Sequence, residues 1–135
     1  MVSYYKTVAN RLIEVDSLMP GCWISVVDPT AQERKMLIDD YGLDSDFLKS
    51  SLDEEESSRV EQEENQTLII VDTAVSEVQK DDTLIFYTMP LGIILTDHYV
   101  FTISLQENKV INDVVSGRVR NIQTRPLTTS LMTLF

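Results

Sequence analysis

Residues 66–105 leave little room for anything except strands and tight turns. "QTLIIVDTAVSEV" (66–78) is rich in β-branched residues, "KDD" (80–82) is a turn, and "TLIFYTMPLGIILTDHYVFTISL" (83–105) is apolar and aromatic again. A parallel neighbour requires a crossover of about a dozen residues, so strands joined this closely must pair antiparallel. The expected series is one long strand, a hairpin turn, a second strand, a break or bulge around Pro90 and Gly92, and two further strands joined at Asp97 and His98. The break is expected because proline has no N–H to give to a strand ladder.

The first thirty residues also read as strands. "VSYYKT" and "LIEVD" flank a short polar connection at residues 9–11, and Pro20-Gly21 punctuates the approach to "CWISVV" (22–27), which Asp28-Pro29 stops. Helix signals begin at Thr30, which with Glu33 has capping-box spacing. Leu37, Ile38 and Tyr41 share one helical face, and Gly42 suits the helix end. A second short helix is expected from Asp44 or Ser45 through Leu52, with Phe47, Leu48 and Leu52 facing the core. A third is expected after Asn108, with a stripe of Val110, Ile111, Val114 and Val115 and a stop at Gly117. Finally, Leu127, Leu131, Leu134 and Phe135 fall at i, i+4, i+7 and i+8, an amphipathic helix still in stride at the last residue. The expectation is a fragment, cut inside or just before a longer helix. Together these elements read as one α+β domain over 1–135, with a mixed, mainly antiparallel sheet.

Charge narrows the function. The chain carries a formal −11, which opposes binding to phosphate backbones and to anionic membrane surfaces. It suits cationic partners, divalent metals included. Between Asp44 and Glu64 nine acids stand against Lys49 and Arg59, so seven of the eleven net negative charges lie in one short stretch. That stretch, "SLDEEESSRVEQEEN" at its densest, admits three readings: a solvated loop, an intersubunit or regulatory cation site, or an electrostatic surface for a partner. Arg59 is expected to pair locally, with Glu61 on the far side of Val60.

Enzyme chemistry is hard to place here. Cys22 and His98 are the only residues of their types. Cys22 reads as a core thiol beside Trp23, and His98 as an exposed turn residue. Phosphate-cradling glycine motifs and the metalloprotease H-E-x-x-H motif are missing from the sequence. Only hard cations with oxygen ligands, such as Mg²⁺ or Ca²⁺, fit the available side chains, and the EF-hand spacing is missing from 53–64. The lone cysteine suggests a reducing compartment. The apolar stretch around "LGIIL" (91–95) is far shorter than the roughly 20 residues of a membrane helix. No enzymatic activity and no required cofactor are expected.

"YYKT", "PGCWISVVDPT", "FLKSSLDEEESSRVE" and "PLGIIL", in that order, resemble the N-terminal cytoplasmic domain of the CorA family of magnesium and cobalt transporters. Leu52, Asp53, Arg59, Val60 and Glu61 follow the family's pattern of Leu-Asp, spacer, basic, apolar and Glu. The resemblance implies an αβα sandwich, with the sheet covered by helices, on the cytoplasmic face of the cell membrane. It also implies a following stalk helix and two membrane helices, through which alone the membrane is engaged, and a pentamer of identical chains in the full-length protein. The family's Gly-Met-Asn pore signature is not in this sequence. The implied role is therefore that of a regulatory and assembly domain of an Mg²⁺ or Co²⁺ transporter, not itself conducting. The alternative is a stand-alone acidic protein-interaction module. In the family, cations bind between adjacent domains near the end of the helix before the Leu-Asp pattern. Here Lys49, Ser50 and Ser51 occupy those positions, and Asp53 and Glu54 are the nearest carboxylates, the weak candidates for a regulatory Mg²⁺.

Overall fold

Ala9 and Asn10 both sit at positive φ (52° and 62°) and form the two-residue turn between β1 (Val2–Val8) and β2 (Arg11–Val15). The computed structural model describes residues 1–116. The expected stop at Gly117 and the amphipathic segment at 126–135 lie outside the described residues. After β2 come β3 (Trp23–Val27), α1 (Ala31–Asp39), α2 (Ser45–Ser51), β4 (Arg59–Gln62), β5 (Thr67–Val78), β6 (Leu84–Leu95), β7 (Val100–Ser104) and α3 (Lys109–Val115).

All seven described strands join one sheet, in the order β2-β1-β3-β7-β6-β5-β4. Every pairing is antiparallel except β3 with β7, which run parallel from Trp23↔Val100 to Val27↔Ser104. The mixed, mainly antiparallel sheet is as expected. Side chains alternate across it with period two. Ile24, Val26, Phe101, Ile103, Leu68, Ile70 and Ile94 face α1 and α2, where Leu37, Phe47 and Leu48 complete one core. Trp23, Val100, Leu91 and Ile93 face the other way and pack with Ile111 and Val114 of α3. Helices thus cover both faces, which makes the αβα sandwich.

Local chemistry sets the helix ends. Thr30 and Glu33 form the capping box: Glu33 N–H donates to the Thr30 hydroxyl (3.1 Å) and Thr30 N–H donates to the Glu33 carboxylate (2.9 Å). That backbone donor holds the Glu33 carboxyl below the usual carboxylate range. Gly42 adopts φ +70 just beyond α1, and Leu43 N–H reaches back to the Leu37 carbonyl at 3.0 Å. Asp44 caps α2 by accepting from the N–H groups of Asp46 and Phe47. Asn108 caps α3 through Val110 N–H and also donates to the Thr73 hydroxyl at 2.8 Å, pinning the helix to β5. Within α3, Ile111 and Val114 are buried while Val115 is exposed, so the stripe is narrower than the sequence suggested.

Two expectations need correction. The first concerns β6, which is unbroken from Leu84 to Leu95 and passes straight through Pro90 and Gly92. Pro90 pairs with Asp72 of β5 but lies just before the first β7 pair, Leu91↔Ser104. From Leu84 to Pro90 the strand therefore has β5 as its only partner strand among the described residues, the edge setting that admits proline. The second correction is β4, which turns part of the acidic stretch into an edge strand on β5.

Gly92 has a packing reason. A Cβ there would lie 2.1 Å from Ser51 Oγ, 2.4 Å from Ser51 Cβ and 3.2 Å from its backbone Cα. Ser51 is itself fully buried, with its hydroxyl donating to the Phe47 carbonyl at 2.8 Å. Rotating the serine cannot clear the clash, so α2 itself must move. Gly92→Ala should cost about 1–3 kcal/mol, the usual range for overpacking. Urea unfolding should show a lowered midpoint at unchanged slope; an unchanged midpoint would contradict this account of the α2–β6 contact.

Candidate functional site

The β3–β7 pairing brings the chain around Cys22 alongside the chain around His98: Gly21 N–H donates to the His98 carbonyl at 3.1 Å. Neighbouring backbones do not make a catalytic pair here. The Cys22 thiol is buried in the core, while the His98 imidazole is exposed in the turn after β6. A nucleophile must be reachable and within hydrogen-bonding distance of its base.

The acidic stretch divides into three parts. Asp53 follows α2 and makes a turn: its side chain accepts from Glu55 N–H (3.0 Å) and its carbonyl from Glu56 N–H (3.1 Å). Next, Arg59 ties the loop down. Its guanidinium donates to the Glu56 carboxylate, to Glu61 at 3.3 Å and to the Ser50 hydroxyl at 3.2 Å. The local pairing expected of Arg59 and Glu61 is present, and Glu56 and Ser50 are added to it. Last, β4 lies at the sheet edge, with Val60 70% exposed between charged neighbours. Charges on an edge strand discourage pairing with another sheet.

Asp53 and Glu54 stand at one end of an open cleft of about 510 Å³ between α1 and α2. Its apolar lining is Ile38, Leu48, Leu52 and Leu105, and Arg34 and Lys49 line it with the two carboxylates. The site is therefore of mixed sign. Among the described residues, no group of three or more His, Cys, Asp or Glu side chains is placed to hold a metal ion. Two exposed carboxylates suit a hard cation that keeps most of its waters, as Mg²⁺ does. They do not form a closed cage, and Arg34 and Lys49 share the cleft with them. Sequence spacing placed the carboxylates correctly after the second helix. It gave no sign of Arg34, which lines the cleft from α1.

Comparison with known proteins places this geometry in a wider setting. A family model described as "CorA-like Mg2+ transporter protein" matches residues 21–135. Among solved structures, the complete CorA magnesium transporter from Methanocaldococcus jannaschii is similar at 26% identity and a TM-score of 0.67, over 83% of this chain and 34% of that one. The soluble domain of the same transporter gives 24% identity and a TM-score of 0.67, over 83% of this chain and 43% of that one. The ZntB cytoplasmic domain from Vibrio parahaemolyticus gives 8% identity, a TM-score of 0.70, 98% of this chain and 54% of that one, a likeness of fold alone. The chain spans about a third to a half of the lengths of these proteins. Nothing among curated proteins matches it.

If Arg59 holds the acidic loop against α2, its removal should loosen residues 53–58 without unfolding the sheet. Arg59→Ala should speed limited proteolysis or amide exchange in that loop several-fold. Global stability should change by only about 1 kcal/mol or less, as for other partly exposed ion pairs. Unchanged loop protection would show that the contacts to Glu56, Glu61 and Ser50 do not order it.

Proposed function

Since the chain belongs to the CorA-like Mg2+ transporter family, we propose that it is the soluble domain of a divalent-cation transport protein, in which it regulates and assembles rather than conducts. The observation that carries this reading is the family match over residues 21–135, on a fold shared with the CorA soluble domain of M. jannaschii. Among the described residues no helix is long and apolar enough to cross a membrane, so conduction falls to parts of the protein beyond them. In this reading residues 1–135 form one domain on the cytoplasmic side. Copies of the same chain are its partners and Mg²⁺ or Co²⁺ the transported ions. A transport role also accounts for a chain whose one thiol is buried away from its one imidazole.

Within this proposal the acidic stretch is the cation-sensing element. Seven carboxylates between residues 53 and 64 raise the local negative potential, and a neighbouring copy packed against them would meet repulsion. A divalent cation held between Asp53, Glu54 and oxygen ligands of the neighbour would offset that repulsion and favour one packing arrangement. Lys49 and Arg34 set the strength of the effect, because they neutralise part of the charge before any ion arrives.

Calorimetric titration of Mg²⁺, with Ca²⁺ and Co²⁺ alongside and sedimentation on the same samples, tests the proposal. Saturable binding is expected, with a shift in assembly state. Asp53→Asn combined with Glu54→Gln should weaken it at least tenfold. Binding that is unaffected by the double substitution would remove these two residues from the site. A chain that neither binds the ions nor changes assembly would overturn the sensing role.

A further inference from the structure

One edge of the sheet lacks the charges that guard the others. The outermost strands carry Arg11 and Glu14 on β2 and Arg59 and Glu61 on β4, and such charges discourage a further strand. A third edge is the outer part of β6. β7 ends at Ser104 opposite Leu91, and among the described residues no strand pairs with Leu84–Pro90 on that side. The segment, "LIFYTMP", holds no charge. Pro90 fixes its orientation, because a residue without an N–H fits beside β5 only with its nitrogen turned away from the β5 ladder. Leu84, Phe86 and Thr88 share its parity, so their N–H and C=O groups also point outward. An uncharged edge with outward donors and acceptors is a template for one more strand.

The side chains around the edge say what that strand must carry. On the face that α2 covers, to which Gly92 also points, Phe86 stands 74% exposed. On the same edge an open pocket of about 340 Å³ is lined by Thr88, Met89, Leu105 and the carboxylates of Glu54 and Glu55. Among the described residues no Lys or Arg lines it. Asp72, exposed opposite Pro90, adds a further acid. On the other face the edge presents Ile85 and Tyr87, with the half-buried Val75 paired to Tyr87.

We propose that the edge Leu84–Pro90 binds an extended segment of a basic partner protein, with Lys or Arg at alternate positions and apolar residues between them. The backbone of that segment extends the sheet along the line of β7. Its basic side chains lie on the α2 face, with stems against Phe86 and Leu105 and heads at Glu54 and Glu55. Its apolar side chains cover Ile85 and Tyr87. Charge selects this occupant over a second copy. The same edge of another copy would bring no cation to these acids, and each copy carries a formal −11. This inference does not depend on the transport reading.

Fluorescence anisotropy tests it, with a labelled synthetic peptide of alternating Arg and Val titrated with the 135-residue chain. Saturable binding is expected, and a peptide of the same composition with its arginines and valines in two blocks should bind about tenfold more weakly. N-methylated peptides separate strand pairing from charge attraction without altering the protein. Methyl groups on the backbone nitrogens that face the edge should weaken binding about tenfold, while those on the alternate nitrogens should leave it within about twofold. Of two peptides methylated at every Arg or at every Val, one should therefore fail and the other bind; equal behaviour would overturn the proposal. Glu55 lines this pocket but not the α1–α2 cleft, so Glu55→Lys should weaken the Arg-Val peptide several-fold with the proposed cation site in place. Thr88→Pro, which removes an outward donor, should weaken it about tenfold. No saturable binding, or equal affinity for a Glu-Val peptide, would overturn the proposal. So would self-association of the chain that Thr88→Pro abolishes, since a second copy would then be the occupant.

Discussion

The parallel pairing of β3 with β7 is the contact on which the rest of the domain depends. It joins the β1–β3 unit to the β4–β7 unit, and it is the only parallel ladder among the described strands. The segment between the two strands, residues 28–99, contains α1, α2, β4, β5 and β6. Closing so long a loop is entropically costly, though the cost grows only slowly with length. It is offset by burial on both faces at once. Ile24, Val26, Phe101 and Ile103 enter one core, Trp23 and Val100 the other. The indole N–H of Trp23 donates to the Thr102 hydroxyl at 2.9 Å across the ladder, so a large ring is buried with no donor left unpaired. Without this ladder the two units would be separate sheets with apolar edges.

Elements governed by neighbours in sequence were legible; those governed by distant ones were not. The Thr30 and Glu33 box, the helix starts near Asp44 and after Asn108 and the hairpin turn at residues 80–82 all follow from residues two to four positions apart. The parallel ladder could not be read this way, because nothing near Trp23 names Val100 as its partner. Pro90 and Gly92 misled for the same reason. Proline is a breaker only where its N–H is wanted, and whether β7 flanks that position is a property of the sheet. Gly92 is there for the close approach of Ser51, a residue 41 positions earlier. β4 escaped notice because Arg59, Val60, Glu61 and Gln62 include a single apolar side chain. Strand character there comes from the hydrogen-bonding edge of β5 rather than from its own propensity.

The same division applies to the candidate site. Composition located the carboxylates and identified oxygen ligation as the chemistry open to them. The apolar lining from Ile38, Leu48, Leu52 and Leu105, and the cations Arg34 and Lys49, come together as one cleft only in the folded domain. That packing changes the electrostatic meaning of the stretch. A run of acids in sequence is strongly negative, but the portion at the cleft is partly compensated, and the portion near Glu56 and Glu61 is shared with Arg59. The uncompensated charge left for a partner is therefore smaller than the sequence count, and it sits on the loop and edge strand.

This redistribution bears on how a cation would act. Interactions between exposed charges fade beyond a Debye length of about 8 Å at physiological salt, so a sensing element works only where two surfaces approach closely. Under the proposed sensing role, a single copy would offer Asp53 and Glu54 to a hydrated ion at little electrostatic gain, because water screens both exposed carboxylates and Lys49 lines the same cleft. When a second surface comes near, the same carboxylates lose part of their hydration and their mutual repulsion rises, so the ion's contribution grows as the gap closes. In that proposal, affinity for the cation and affinity between copies would be one coupled quantity. Each must raise the other by the same factor. Under the proposed role, carboxylates too exposed to form a cage in one chain would respond to the distance between two.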